Sequence, residues 1–297
     1  MALEIAVAGA NGFTGRHVTR ALKETRACHV VELVRRSHNL QPSGFDLRDR
    51  SSITAVLGWP SVVVHAASYV GRDAEAALAA NVEGTRNLLT VARERGVRRF
   101  VYVSTAAVYG RGPFRGLTEE QSVVAPSSLL SATRAAAEQA VLEEGGIVVR
   151  PHLVLGAGDR WVLPTVARLL STLGTHIDNG VALHSAVHVQ ELGRAVAWLA
   201  TQPDIEPGPY HVGASAPITA REFSVWAEAA GLLKPTEGSV SLGKAHGILS
   251  GDQSLNSSAT LLGIDHVFDV QRLERAGYRG AVAQTALGEA DLAWYRS

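Results

Sequence analysis

The segment Gly9-Ala10-Asn11-Gly12-Phe13-Thr14-Gly15 constrains this chain most, because it joins the β-branched run Glu4 to Ala8 to a stretch of helical period. Gly9 permits a tight turn after the strand, Gly12 lets backbone amides approach an anion, and Gly15 lets the helix pack closely on the sheet. The unpaired N–H groups and positive dipole end of such a helix favour a phosphate. A glycine turn can also be plain structure. Here the preceding strand, the following helix and the position at the start of the chain select a dinucleotide pyrophosphate, with Gly9, Asn11, Gly12, Phe13, Thr14 and Gly15 around it.

The rest of the N-terminal half repeats this alternation. Strands are expected at Glu4 to Ala8, His29 to Val34, Val62 to His65, Phe100 to Ser104 and Ile147 to Val149. Helices are expected at Gly15 to Thr25, Asn81 to Arg95 and Ser128 to Glu144, with Gly96 and Gly145 at helix C-termini. This βαβαβ order predicts an α/β fold, a Rossmann-like doubly wound parallel sheet with a smaller C-terminal substrate-binding lobe. We expect residues 1–155 to form the dinucleotide-binding domain, with 182–212 returning to it, and residues 156–181 and 213–297 to form the substrate lobe. Helices at Leu163 to Leu173 and Val189 to Thr201 belong to this second half.

Composition narrows the partners. The 297 residues are 46% hydrophobic, and 28 basic residues balance 28 acidic ones. Nothing global therefore attracts the chain to nucleic acid or an anionic membrane, and a small-molecule substrate fits better. No apolar run is long enough to span a bilayer. The single cysteine, Cys28, makes no internal disulfide, and no signal-like segment precedes the first strand. A cytoplasmic monomer or homodimer is expected, and no residue is assigned to a metal.

The residue at the tip of the second strand faces the adenosine ribose in this architecture, where an acid selects NAD and an arginine accepts a 2'-phosphate. Arg35 and Arg36 stand there, and guanidinium groups bind phosphate bidentately, which favours NADP(H). A solvated arginine pair is the alternative, and Glu32 would read a ribose hydroxyl if the strand ended earlier.

These residues together resemble an extended short-chain dehydrogenase/reductase, the NAD-dependent epimerase/dehydratase type. The resemblance runs through GANGFTG, FDLRD at Phe45 to Asp49, HAAS at His65 to Ser68, NVEGTRNLL from Asn81, VYVSTAAVYG from Val101, VVRPHLVLGAGDR from Val148 and GYRG near Tyr278. It implies that Asp46 reaches the adenine with Leu47 beside it, and that Ala66, Ala67 and Ser68 line the cofactor. It also implies that Asn81 supports an ordered water, and that Pro151, Leu153 and Val154 cradle the nicotinamide. Thr105 falls at the catalytic serine or threonine position, with Ser104 beside it. Asp46 and Asn81 can also be simple turn and helix caps.

One departure is decisive. The family places a Tyr-x-x-x-Lys pair on one helix face, the tyrosine as general acid or base and the lysine lowering its pKa and holding the nicotinamide ribose. Here Leu130 stands at the tyrosine position and Arg134 at the lysine position. Leucine donates no proton, whereas arginine still hydrogen-bonds and carries charge, so Arg134 is kept as a cofactor contact against the alternative of a solvated helix residue. A positioned general acid contributes roughly 10²- to 10⁴-fold, about 3–5 kcal/mol. Positioning contributes around 7–11 kcal/mol. Hydride transfer therefore survives the loss where the substrate or water supplies the proton. Tyr69, Ser104, Thr105, Tyr109 and His152 are the substitute donors, with a structural role the alternative for Tyr109 and His152, and Ser131 and Thr133 are expected on the helix surface.

The second lobe holds Trp161, Trp226, His176 and His184, with Arg160 and Arg168 but little clustered charge, so a flat apolar substrate is expected. With Arg35, Leu130 and Arg134, the chain resembles atypical ketoreductases of antibiotic biosynthesis. That resemblance implies NADPH-dependent reduction of an aromatic polyketide ketone of angucyclinone type. A noncatalytic NADP(H) sensor and a sugar-nucleotide epimerase or dehydratase are the competing readings, and the latter lacks its base.

Overall fold

The computed structural model describes residues 3–25, 28–35, 44–280 and 285–297. Six strands, numbered here in chain order, form an all-parallel sheet: β1 (Leu3–Ala8), β2 (Cys28–Leu33), β3 (Val62–His65), β4 (Arg99–Val103), β5 (Ile147–Pro151) and β6 (Gly208–Val212). Their spatial order is β6-β5-β4-β3-β1-β2. An isolated parallel bridge from Arg35 to Phe45 extends the sheet beyond β2. The strand order reverses between β1 and β3, and ligands of such sheets bind at the carboxyl ends of the strands flanking that point.

The β1 sequence explains why both faces are covered. Successive side chains alternate, so Ile5 and Val7 enter one core cluster and Ala6 and Ala8 the other, all four fully buried. On the first face, Val18 and Leu22 of the helix Phe13–Glu24 meet Leu192 and Val196 of the helix Val189–Thr201. Each such aliphatic side chain contributes about 1.5–3 kcal/mol when fully buried. Gly193 of the second helix lies so close to His17 that an added Cβ would stand 2.7 Å from its backbone. On the other face, Leu88 and Val91 pack with Ala137 and Val141.

A second core unites Leu155, Leu163, Leu169, Leu170 and Phe223. It belongs to the helices Val162–Leu173, Ala220–Ala229 and Gln253–Gly263. Beside it stands a four-stranded sheet ordered Ile218–Thr219, Leu183–His184, His266–Phe268, Phe114–Leu117. The strand Phe114–Leu117, from the N-terminal half, pairs with His266–Phe268 near the C-terminus, a contact that the sequence did not signal. Periodicity also missed a π-helical stretch at Leu78–Glu83, between the helices Ala74–Ala77 and Gly84–Glu94. Among the described residues no helix is long and apolar enough to cross a membrane.

Candidate active site

The glycine turn is a backbone cradle with no room for side chains. Gly9 has φ +82°, a left-handed conformation that favours glycine, and a Cβ there would stand 2.7 Å from the Ala67 amide nitrogen. A Cβ on Gly15 would stand 2.0 Å from the Gly9 carbonyl oxygen. The third glycine therefore protects the turn itself rather than the helix-to-sheet contact. Gly12 is the helix N-cap, no side chain caps this end, and no acidic residue occupies the first turn. Asn11 is exposed and Phe13 and Thr14 are half-buried at the same end. A dinucleotide pyrophosphate fits this donor set.

At the tip of β2, Val34 and Arg35 are exposed, and Arg36 lies outside the described residues. Glu32 is engaged by Lys23. Arg48 binds the Asp46 carboxylate at 2.6 Å and holds it below its ordinary pKa. Leu47 is buried, and its carbonyl accepts from Asn87.

Arg134 joins the loop after β3 to the end of β4. Its Nη1 donates to Ser68 Oγ at 3.0 Å, its Nη2 donates to the Val103 carbonyl at the end of β4, and its guanidinium stacks on Tyr102. Arg134 thus lies inward rather than on a solvated surface. Ser68 in turn donates to Asn81 Oδ1, which also accepts from the Tyr69 amide at 2.8 Å. Asn81 Nδ2 donates to the Tyr69 carbonyl and to Thr133 Oγ1. Asn81 therefore clamps the loop after β3 to the helix Leu129–Glu143, and it caps no helix. Among the described residues, Arg134 Nε and Ser104 Oγ are buried polar atoms without a partner, both beside the end of β4.

The expectation that Ser131 and Thr133 face the helix surface is corrected, since they are 3% and 2% exposed. Thr133 binds Asn81, and Ser131 forms a capping box with Ser128, worth about 1 kcal/mol. A helical face defined by apolar spacing alone misses positions whose burial is offset by hydrogen bonds. Leu130 is half-buried one turn before Arg134.

The substitute proton donors sort by environment. Thr105 is half-buried, and its Oγ1 accepts from the Ala107 amide. Tyr109 is buried between His211 and Arg150, at 2.6 and 2.7 Å from its hydroxyl, and burial raises its pKa. His152 lies in an aromatic cluster with His184, His266 and Phe268, where burial pushes its pKa well down. Neither is free to deliver a proton. Pro151 ends β5, and Leu153 and Val154 begin a short strand paired with Ala186–His188.

A cleft of about 750 Å³ lies between the helix Leu129–Glu143 and the helices Val162–Leu173 and Gln253–Gly263. Ala107, Ser128 and Ser131 line it from one side and Arg168, Thr260 and His266 from the other, with Arg72 and Arg111 at its walls. Hydroxyls and guanidinium groups share this lining with apolar groups. Its arginines are far apart in sequence, so no charge cluster is visible there. Arg168 is paired with Asp252 at 2.7 Å. Trp161 is 62% exposed, while Trp226 packs against the second core.

Residues 5–213 match the NAD dependent epimerase/dehydratase family. The chain is 31% identical over 239 residues to the 4-hydroxy-2-methyl-3-oxo-4-farnesyl-3,4-dihydroquinoline-1-oxide ketoreductase of Stigmatella aurantiaca, covering 73% of this chain and 70% of that protein. It is 30% identical over 213 residues to the 2-alkyl-3-oxoalkanoate reductase of Stenotrophomonas maltophilia, covering 61% and 64% of the two chains. Among solved structures it shares its fold with RMD from Pseudomonas aeruginosa complexed with NADPH, at a TM-score of 0.68, 21% identity and 99% and 98% coverage. MoeE5 in complex with UDP-glucose and NAD gives a TM-score of 0.72 at 24% identity and the same coverage. The chain belongs to the NAD dependent epimerase/dehydratase family of extended short-chain dehydrogenase/reductases, NAD(P)-dependent oxidoreductases.

Proposed function

We propose that this protein is an NADPH-dependent ketoreductase that reduces a carbonyl of an aromatic polyketide without a Tyr/Lys pair. The observation that carries the reading is the replacement of that pair by Leu130 and an Arg134 anchored on Val103 and Ser68. This arrangement keeps charge and hydrogen-bond donors while removing the titrating acid. Both similar reductases carry an oxo group in their substrate names, one of them on a bicyclic ring. An aromatic polyketide ketone is flat and rich in oxygen, which suits a cleft lined by hydroxyls and arginines.

Gly9, Asn11, Gly12, Phe13, Thr14 and Gly15 hold the pyrophosphate, Arg35 and Arg36 the 2'-phosphate, and Asp46 and Leu47 the adenine side. Ala66, Ala67 and Ser68 form the wall beneath. Arg134 holds the nicotinamide ribose, and Pro151, Leu153 and Val154 back the ring. When bound, the cofactor supplies the hydride. Thr105, with Ser104, hydrogen-bonds the carbonyl oxygen, and a phenol adjacent to the carbonyl or a water in the cleft supplies the proton.

Two measurements test this. Incubation with NADPH and a panel of aromatic polyketide ketones, followed by absorbance and product mass, should show cofactor oxidation with a product two mass units heavier. Binding without oxidation across the panel overturns the reading in favour of a sensor. Arg35→Asp should weaken NADPH at least tenfold while sparing NADH, since a charge-assisted phosphate contact contributes about 1.5–3 kcal/mol. Equal weakening of both cofactors overturns the phosphate assignment.

A further inference from the structure

Three histidines outside the cofactor cradle converge in the second lobe. His152 is the residue between β5 and the strand Leu153–Leu155, while His184 and His266 are direct register partners on adjacent strands. One ring nitrogen from each lies within 4.8 Å of the others. The rings are nearly parallel, 12–17° apart, with centres separated by 5.2, 5.9 and 6.3 Å.

Their hydrogen bonds fix which nitrogens carry lone pairs. His184 Nε2 donates to the Leu262 carbonyl at 3.3 Å, which leaves Nδ1 as an acceptor, and that atom is buried without a partner. His266 Nδ1 donates to the Ile264 carbonyl at 2.9 Å, leaving Nε2 as an acceptor whose one contact is the Gly112 amide at 3.3 Å. His152 Nε2 is likewise buried and unpartnered among the described residues. His184 Nδ1 and His152 Nε2 are enclosed and unpartnered among the described residues, which is costly unless something binds them, while His266 Nε2 holds only the 3.3 Å contact with Gly112 that an ion would replace.

A cation solves this, and we propose that His152, His184 and His266 form a tri-imidazole site for a divalent transition ion of the zinc class. The second-nitrogen bonds of His184 and His266 to backbone carbonyls are the orienting contacts that metal-bound imidazoles use. Burial lowers the pKa of all three rings and so favours the neutral form, the one that ligates. With metal–nitrogen bonds of about 2.0–2.1 Å, imidazoles sharing one ion hold their ring centres about 5–5.5 Å apart. The His152–His266 spacing of 5.2 Å lies in that range, and the spacings of 5.9 and 6.3 Å to His184 must close toward it by ring rotation. No fourth His, Cys, Asp or Glu joins the group among the described residues, which leaves three protein ligands and an open position. His266 also lines the cleft. Asp265, next to it, supplies a negative charge while accepting from Leu183 and Arg115. The ion would tie the strand leaving the dinucleotide sheet to two strands of the substrate lobe.

The test uses the whole protein, stripped with a chelator and dialysed against Zn²⁺, with metal content measured by mass spectrometry. One zinc per chain is expected for the native sequence and for His29→Asn, a surface control. His152→Leu and His184→Gln, checked for folding by circular dichroism, should retain none. Mg²⁺, which prefers oxygen ligands, should not compete. X-ray absorption on the native zinc protein should return three imidazoles, and it decides the matter if the variants do not fold. Absence of stoichiometric zinc, zinc unchanged in folded variants, or a spectrum without imidazole overturns the site.

Discussion

Arg150→Met should unfold this protein more readily than any surface charge change. Arg150 and Glu138 form an ion pair with side chains 4% and 2% exposed, and two guanidinium nitrogens of Arg150 reach Glu138 Oε2. Its third donor goes to the Tyr109 hydroxyl, which stands 2.6 Å from His211. Methionine preserves most of the stem volume but strands the Glu138 carboxylate in the sheet-to-helix interface. Removing one partner of a buried pair costs about 3–5 kcal/mol, because the remaining charge has no compensation. At about 2–4 °C per kcal/mol for a domain of this size, the thermal midpoint should fall by roughly 10 °C. Glu138→Leu combined with Arg150→Met should recover most of this loss, since an apolar pair of similar volume is often neutral. Thermal and urea unfolding of the two single variants and the double variant provide the cycle. A loss below about 1 kcal/mol for Arg150→Met, or a double variant no more stable than the single, would refute the claim that this pair fastens the helix Leu129–Glu143 to β5.

Gly9→Ala should raise the dissociation constant for NADPH at least tenfold, read by fluorescence titration, because its Cβ would enter the Ala67 backbone at a φ that costs about 1–2 kcal/mol. Leu130→Tyr should leave kcat within about tenfold of the native value in steady-state assays, since the proton comes from substrate or water; a gain of 10² or more would show that the missing acid was limiting. Acid should destabilise the fold between pH 6.5 and 4. Burial lowers His65, beside Thr85 and Arg134, to about 3, and His211, beside Tyr109, Arg150 and Glu119, to about 4. Both stay neutral when folded, whereas the unfolded chain binds their protons below its pKa of about 6.5, so stability is full above that pH and is lost as pH falls. Urea midpoints from pH 7.5 to 4.5 check this, and a midpoint that rises on acidification would contradict it.

The parallel sheet and its glycine turn were legible because each depends on local pattern: alternation in β1, a C-terminal glycine at Gly96, a helix opening after Gly12. Strand ends differed by a residue or two where pairing rather than propensity sets the end, as at Leu33. The site was less legible because its contacts are long-range. Thr133 and Asn81 are separated by 52 positions, so a face judged polar from the helix alone turned out to be a buried clamp. The arginines of the cleft and the three histidines likewise carry no motif spacing, since only the tertiary fold brings these sequence-distant residues near one another. Arg134 could be found by its register against the family's lysine, but its anchorage on Val103 could not.

Hydride transfer to a ketone in the absence of the Tyr/Lys pair is the chemistry proposed for this protein. Single-turnover reaction with NADPH deuterated at C4, followed by mass spectrometry of the alcohol, tests it most directly. One deuterium is expected on the former carbonyl carbon with one stereoisomer of the labelled cofactor and none with the other. Tight NADPH binding with no deuterium transferred to any aromatic polyketide ketone would contradict it.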